Sequence, residues 1–391
     1  MRIAHLADLH LGFRAYHRVT ARGLNMREAD VSAAFQHAVD EIVRLEPDLV
    51  LVAGDIFHTV RPSNTAIAAA FRQFSTLADH LPGVPIVMIA GNHDSPRSSD
   101  TGNILALFRE IPGLSVVTEH AERIMLPELD AAVLCLPHNA LAEANEIALE
   151  PLATVGTNLL MLHGTVAGDV AAEKIRYVSE YGGVAVEDTA IGPERWDYVA
   201  LGHYHIATPL APNMWYAGGI ERTSTNIWAE AGGEKGFLIY DTEQKRASFH
   251  PVPTRPVLDL PRLSARGLTA AEVDEGIRST LSAVEGGIAG KILRLVISDI
   301  PRHVVRELSH RQIREFRAEA LHLHLDARPP EVRRAVASGA PFRRQTLAEQ
   351  VTGYLERQWT PSSELIRRER LVDLGKSYLE QVGEGSEGST D

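Results

Sequence analysis

Five short clusters of His, Asp and Asn punctuate the first half of the chain, and each adjoins an apolar run. Asp8-Leu9-His10 follows Ile3 to Ala7, and Gly54-Asp55-Ile56-Phe57-His58 follows Leu49 to Ala53. Gly91-Asn92-His93-Asp94 follows Ile86 to Ala90, Leu162-His163-Gly164 closes Leu159 to Leu162, and Gly202-His203-Tyr204-His205 follows Tyr198 to Leu201. Apolar strands that alternate with helical segments, and carry polar residues at their ends, define an α/β sandwich with its chemistry on the loops. Strand ends that converge can deliver nitrogen and oxygen donors to one place, enough for two metal ions. Two divalent ions side by side are suited to hydrolysing phosphate esters.

Between the clusters, helical spacing runs from Met26 to Leu45 through Ala33, Ala34, His37, Ala38, Glu41, Ile42 and Leu45, and Pro47 stops it. Ser63-Asn64 reads as the cap of a helix running towards Ala78. After Gly236, two strands (237–240 and 247–252) join through a turn at 241–245, and prolines at 251, 253, 256 and 261 mark a boundary. The predicted domains are therefore 1–253 and a small α+β unit at 257–328, with helices over 270–284 and 303–320 and strands over 291–298 and 321–326. Pro329-Pro330 opens a helical segment, 331–382, and a tail at 383–391 is expected to be disordered. In that segment Leu347, Val351, Leu355 and Trp359 make one apolar stripe; Leu371, Leu374, Tyr378 and Val382 make another. Such stripes suit docking of a partner or packing back onto the small domain.

Composition narrows the classes. The chain is 45% hydrophobic over 391 residues, enough for more than one core. Its one cysteine, Cys135, lies within an apolar run, which excludes a disulfide framework and a thiolate metal site. No apolar stretch approaches the roughly 18–20 residues that span a bilayer, and Met1 leads directly into a strand rather than a signal peptide. A soluble, cytoplasmic protein is expected, with no membrane partner. The net charge of −12 argues against a free-standing, strongly basic nucleic-acid binder, yet residues 301–370 hold 14 Arg, no Lys and 9 acidic residues. That asymmetry suits either separate surfaces for separate partners or Arg-decorated solvated helices.

The donors are imidazoles, carboxylates and an amide, a mixture that suits Mn, Fe or Zn better than Mg. Asp55 is the candidate to bridge two ions, and Gly54 and Gly91 would let the backbone turn sharply enough to aim the next side chain inward.

Taken together, Asp-x-His, Gly-Asp, Gly-Asn-His-Asp, His-Gly and Gly-His-x-His resemble the signature of the calcineurin-like metallophosphoesterases. Within these, HLADLHLGFRAYHR, GDIFHTVRPSN, GNHD, LMLHG, ALGHYH, GGIER and KGFLIYD extend the resemblance to the SbcD-type DNA repair nucleases. His58, three residues after Asp55, distinguishes these from the serine/threonine protein phosphatases, which carry Gly-Asp-x-x-Asp-Arg-Gly there. Tyr216-Ala217-Gly218-Gly219 departs from the family's usual Tyr-Pro-Gly-Ser.

The resemblance implies a four-layer αββα sandwich with a small capping domain and a C-terminal helical segment. It implies one metal held by Asp8, His10, Asp55 and His205 and another by Asp55, Asn92, His163 and His203. The expected cofactor is two Mn²⁺, with Fe, Zn or Mg as alternatives. His93 is implied as the group that stabilises charge or protonates the leaving oxygen, with Asp94 orienting its ring; His58 would assist at the phosphate or the metals. The implied function is a manganese-dependent DNA exonuclease and single-strand endonuclease, a dimer that works with an SMC-like coiled-coil ATPase docked on the C-terminal helices. A metallophosphodiesterase acting on nucleotides or another small phosphodiester is the alternative, and a non-catalytic DNA-end scaffold a third.

Several histidines fall outside the scheme. His322 and His324 share one face of a strand without a third ligand nearby in sequence, and read as the polar face of an amphipathic strand. His5 reads as a hydrogen-bonded histidine of the core or facing a helix. Arg14 and His17 are candidates to touch a DNA backbone, and His138 and Asn139 carry no usable pattern.

Overall fold

A computed structural model describes residues 1–96, 102–143, 149–168, 185–330, 354, 370 and 372–375. The chain divides into two compact units, Met1–Pro330 and Glu331–Asp391. In the second unit Tyr354, Arg370 and residues 372–375 are helical. The rest of the expected 331–382 helices and the 383–391 tail lie outside the described residues.

The first unit is built on two six-stranded sheets. One runs β14(Arg246–Pro251)-β13(Gly236–Asp241)-β1(Arg2–Leu6)-β2(Leu49–Ala53)-β3(Ile86–Ile89)-β4(Leu114–Val117). The other runs β11(Thr208–Ala211)-β12(Met214–Tyr216)-β10(Tyr198–Gly202)-β7(Thr157–His163)-β6(Ala131–Leu136)-β5(Glu122–Leu126). Strands β1 to β4 pair in parallel, as do β6, β7, β10 and β12. Parallel strands covered on both faces must be apolar throughout, and β2 (LVLVA) and β3 (IVMI) are wholly buried. Alternate residues then separate two cores. Ala4, Leu6, Val50 and Val52 face the helices, whereas Ile3, Leu49, Leu51 and Ala53 face the second sheet with Val133, Leu159, Met161 and Ala200.

Helix α1(Met26–Leu45) starts at Asn25, whose side chain accepts from Arg27 N and Glu28 N; α2(Asn64–His80) starts at Ser63, which accepts from Ala66 N. The buried stripe of α1 is Val31, Ala34, Phe35, Ala38, Val39 and Ile42. Ala33 and His37, expected on it, point to solvent. Helix, sheet and sheet account for three of the expected four layers. Over the outer face of the second sheet, the described residues supply only short elements: the turn Asp188–Ile191 and the 3₁₀ segments His138–Glu143 and Pro193–Arg195. A two-stranded ribbon, β8(Thr165–Ala167) with β9(Ala185–Glu187), follows His163.

The small domain has its own parallel sheet. β15(Val257–Asp259) and β16(Leu263–Ser264) lie along one edge of β17(Ile292–Ser298), and β18(His322–Ala327) lies along the other. Its helices are α3(Ala270–Ser282), closed by a Thr269/Glu272 capping box, then α4(Arg302–Glu307) and α5(His310–Glu319). The single helix expected over 303–320 is thus two. Leu308 turns extended (ψ 149°), Ser309 caps α5 at Gln312 N, and the Asp274 carboxylate takes the Ser309 amide at 2.9 Å. A good cap residue mid-sequence, with a partner for its amide, outcompetes helix continuation.

Sandwich and small domain have separate cores but form one compact unit. Ile227, Val257, Ile292 and Leu321 pack together between them with Tyr16, Met26 and Trp228. Arg255 clamps the same boundary: it pairs with Asp30 of α1 at 2.6 Å and donates to Gly290 O at 2.6 Å. The ring of Tyr16 stacks on His322 (4.0 Å, 17°), and Trp228 stacks on His324 (6.2 Å). As expected, Leu323 and Leu325 enter the small-domain core while the two histidines lie on the opposite, polar face.

Candidate metal centre

The two sheets bring the cluster-bearing ends of β1, β2, β3, β7 and β10 together. Beyond the strands, β1–β2 pairing continues as a ladder: Asp8 N to Gly54 O (3.0 Å), His10 N to Asp55 O (2.9 Å) and Leu11 N to Ile56 O (2.9 Å). Asp8, His10 and Asp55 adopt left-handed backbone (φ 52°, 47° and 53°). Such residues cost on the order of 1–3 kcal/mol each, and the ladder over-determines them. Gly54 has φ +88°, and a Cβ there would sit 2.3 Å from His163 Nδ1. Gly91 is needed for another reason than the expected sharp turn: its φ is ordinary, but a Cβ would lie 2.1 Å from Asp55 Oδ1. It makes room for the carboxylate.

All seven predicted ligands converge. Asp55 Oδ2 lies 3.7 Å from His10 Nε2 and 3.4 Å from His163 Nε2, so one oxygen faces both halves of the site. His10 Nε2 is 3.0 Å from His205 Nε2; Asn92 Oδ1 is 3.0 Å from His163 Nε2 and 3.3 Å from His203 Nδ1. Both Asp8 oxygens accept the His203 amide, at 3.0 and 3.1 Å. Among the described residues three sets are spaced to hold an ion: Asp8, His10 and His205; Asp8, Asp55 and His163; and His10, His58 and His93. Bonds of about 2.0–2.2 Å to one ion place its donors about 3 Å apart, so the spacing and the N/O donor mixture fit divalent metal. Six of the seven side chains are buried, and Asn92 is half-buried.

Burial and mutual charge pull these groups apart. Burial raises Asp55, but His163, His10 and His93 together hold it well below the usual carboxylate range. Burial pushes His163 down, and Asp55 more than reverses that, up to about 9. His203 is pushed down to about 3 by burial and the neighbouring His163.

His93 and His58 lie beside this cluster. Their rings stack (5.3 Å, 21°), His58 Nδ1 is 3.3 Å from His10 Nδ1, and His93 lies edge-on to His10 (4.8 Å). Asp94 does not orient the His93 ring as expected. Its buried carboxylate accepts three backbone amides, Gly91 N (3.0 Å), Ile56 N (3.1 Å) and Phe57 N (2.9 Å), and so ties the β3 loop to the Asp55 loop. Burial and Asp55 raise it to about 6. The His93 ring is held instead through Nδ1, which donates to His58 O at 2.7 Å, while its amide donates to Asp55 Oδ1 at 2.9 Å.

Three further residues reach the site. Half-buried His138 lies edge-on to His163 (6.5 Å), and no sequence pattern distinguishes it. Glu230 and Lys235 are buried and paired beneath His205, with Glu230 Oε1 3.7 Å from His205 Nδ1. Burial would raise Glu230, yet Lys235 and His205 bring it down to about 2. Lys235 and Glu221-Arg222 sit in segments that carry the family resemblance, but Glu230 has no signal of its own. The departure at 217–219 is accommodated: Gly219 N donates to His205 O at 3.2 Å, and Gly218 takes φ +76°. His5 donates or accepts at Tyr198 OH (2.8 Å) through Nδ1, while its Nε2 finds no partner among the described residues. Arg14 pairs with Glu28 at 2.6 Å.

The calcineurin-like phosphoesterase profile matches residues 1–207, the span that carries these donors at the strand ends of the two facing sheets. The chain belongs to that family. Among curated proteins it is similar to the DNA double-strand break repair protein Mre11 of Methanococcus maripaludis, 36% identical over 30% of each chain. It is also similar to those of Methanopyrus kandleri (27%, covering 53% of this chain and 45% of the relative) and Sulfolobus acidocaldarius (27%, covering 52% and 50%). The chain thus spans half or less of the length of these relatives. Among the described residues no helix is long and apolar enough to cross a membrane.

Proposed function

We propose that this phosphoesterase is a manganese-dependent DNA nuclease that hydrolyses phosphodiester bonds at DNA ends, as double-strand exonuclease and single-strand endonuclease. The observation that carries the reading is the pairing of a two-metal donor set with His93 and His58 on one side of it, in a chain whose relatives bear the name of a DNA-break repair protein. In this reading Asp8, His10, Asp55 and His205 hold one ion, and Asp55, Asn92, His163 and His203 the other. Bound there, two ions would lower the pKa of a water to near 7 and offset charge on the phosphate.

The chain's own residues do the rest. Asp55 presents one oxygen to both halves and uses the other to fix the His93 backbone. The bond from Nδ1 to His58 O sets the His93 tautomer, so proton exchange with a leaving oxygen falls to Nε2. His58, stacked on His93 and against Phe13, keeps that ring in place. Asp94 works at one remove, by holding the two loops together.

Residues 257–328 would act as a capping domain that shapes a DNA groove. Exposed Arg302, Arg306, Arg311, Arg314 and Arg317 on α4 and α5 supply positive charge for a phosphate backbone. The apolar stripes of 331–382 would dock an SMC-like ATPase, which supplies further DNA grip to a dimer that is acidic overall, in the cytoplasm.

The test is cleavage of a labelled linear duplex and of single-stranded circles by the full chain, with Mn²⁺ or Mg²⁺, beside His93→Ala. Manganese-dependent cleavage that falls by about 10²–10⁴-fold in the variant, with Mn²⁺ binding intact, is expected. Hydrolysis of a small phosphodiester without any DNA cleavage, with or without the ATPase, would overturn the nuclease reading in favour of a small-substrate enzyme.

A further inference from the structure

We propose that Glu230 is a positioning residue for the metal centre, its carboxylate receiving the Nδ1–H of His205 and so aiming Nε2 at the ion. The inference rests on the two-metal reading above.

His205 is buried, and its Nε2 lies on the site side, 3.0 Å from His10 Nε2. Nδ1 therefore looks away from the ions. It makes no hydrogen bond among the described residues, yet Glu230 Oε1 faces it at 3.7 Å. A shift of less than about 1 Å closes that gap to hydrogen-bond length. Glu230 is 1% exposed and is itself held on both oxygens: Oε1 accepts from Ser224 Oγ, and Oε2 pairs with Lys235 Nζ. Lys235 Nζ also donates to His205 O at 2.5 Å. One buried ion pair thus addresses both the backbone and the ring of a single histidine.

Stability alone is a poor reason for that pair. A buried ion pair is often no more stabilising than apolar residues of the same volume. The other ligands are held differently: His163 is oriented by donating Nδ1–H to Ala53 O at 2.7 Å, and His203 through its amide to Asp8. A neutral carbonyl fixes direction; a carboxylate behind an imidazole also raises its basicity, and loss of such a partner costs about 10–100-fold in metal affinity. The charge behind His205 would therefore set how tightly the Asp8–His10–His205 half holds its ion.

The experiment is Mn²⁺ titration of the full chain, followed by calorimetry and by the electron spin resonance of free Mn²⁺, for wild type and Glu230→Gln. Wild type is expected to bind two ions; fewer would overturn the two-metal reading itself, independently of any variant. In the variant one site should weaken by about 10–100-fold while the other stays as in wild type. Cleavage lost at limiting Mn²⁺ should return at saturation, which a merely misfolded site would not allow. Wild-type affinity at both sites overturns the proposal. Because Glu230→Gln leaves Lys235 unpaired in the interior, Glu230→Gln/Lys235→Met is measured beside it, with the same one-site loss expected. Should neither fold, Glu230→Asp decides: it withdraws the carboxylate by one methylene, and a weaker single site supports the role while unchanged binding ends it.

Discussion

The central strands of the sandwich and the edge strand β18 of the small domain place polar residues in opposite ways. In the sandwich, β2, β3 and β10 are buried from end to end, and polarity begins only where the strand stops, at Asp55, Asn92 and His203. In the small domain, β18 alternates: Leu323 and Leu325 face its helices, while His322, His324 and Asp326 lie on the other face. A sheet covered on both sides can place chemistry only at its edges and ends. A sheet with an open side can carry polar groups along its strands, and here the apolar part of that side, Val257 and Ile292, docks on the sandwich beside the rings of Tyr16 and Trp228. Histidine therefore means different things in the two regions. At the strand ends it joins carboxylates in one buried cluster of candidate metal ligands; on β18 it stacks against aromatic rings.

The largest effect should come from the strand end that both halves of the site share. Asp55→Asn preserves shape but removes the charge facing His10 and His163. Mn²⁺ binding should be lost at both sites and phosphodiester cleavage should fall by at least about 10³-fold. A variant that still binds two ions would break the notion of a shared carboxylate. A smaller effect is expected at the boundary between the regions. Arg255→Ala leaves Gly290 O without its partner and Asp30 with Arg27 alone, at a cost of about 2–4 kcal/mol in urea denaturation. Mn²⁺ affinity should be unchanged, since the clamp lies in the other region's attachment; a parallel loss of metal would show that site and docking are one cooperative structure.

The smallest effect concerns a histidine of the sandwich interior. Burial pushes His5 down to about 3, against 6.5 for an ordinary histidine. Below pH 6.5 the unfolded chain takes up this proton and the folded chain does not, so the contribution is complete above pH 6.5 and lost as pH falls towards 3. The slope for this one group is at most about 1.4 kcal/mol per pH unit. His5→Gln can keep a bond to Tyr198 OH and removes the titration. Between pH 6.5 and 4.5 the metal-free variant should lose stability less steeply than wild type; equal slopes would remove His5 from the account.

Much of the site was legible because its signal is local. A strand run followed by Asp-x-His or Gly-Asn-His-Asp is a pattern of adjacent residues, and the five patterns named all seven donors that converge. The start of α2 and the end of α1 also follow from local chemistry, Ser63 as a cap and Pro47 as a stop. What was misread depends on contacts distant in sequence. Asp94 looks like a partner for His93 beside it, but its three amides come from Gly91 and from a loop 37 and 38 residues away. The helix expected over 303–320 breaks because Asp274, on another helix, meets the Ser309 amide.

The sequence by itself determined the strand-and-helix alternation, the donor types and the likeness to a phosphoesterase family, because short-range spacing and residue chemistry carry all three. Tertiary structure alone decided which oxygen of Asp55 is shared, that Gly91 exists to make room for it, and that an acid 25 residues beyond His205 lies behind that ring. Those facts depend on the packing of one sheet's strand ends against the other's and on a loop folded beneath them, where burial, not spacing, sets which charges meet.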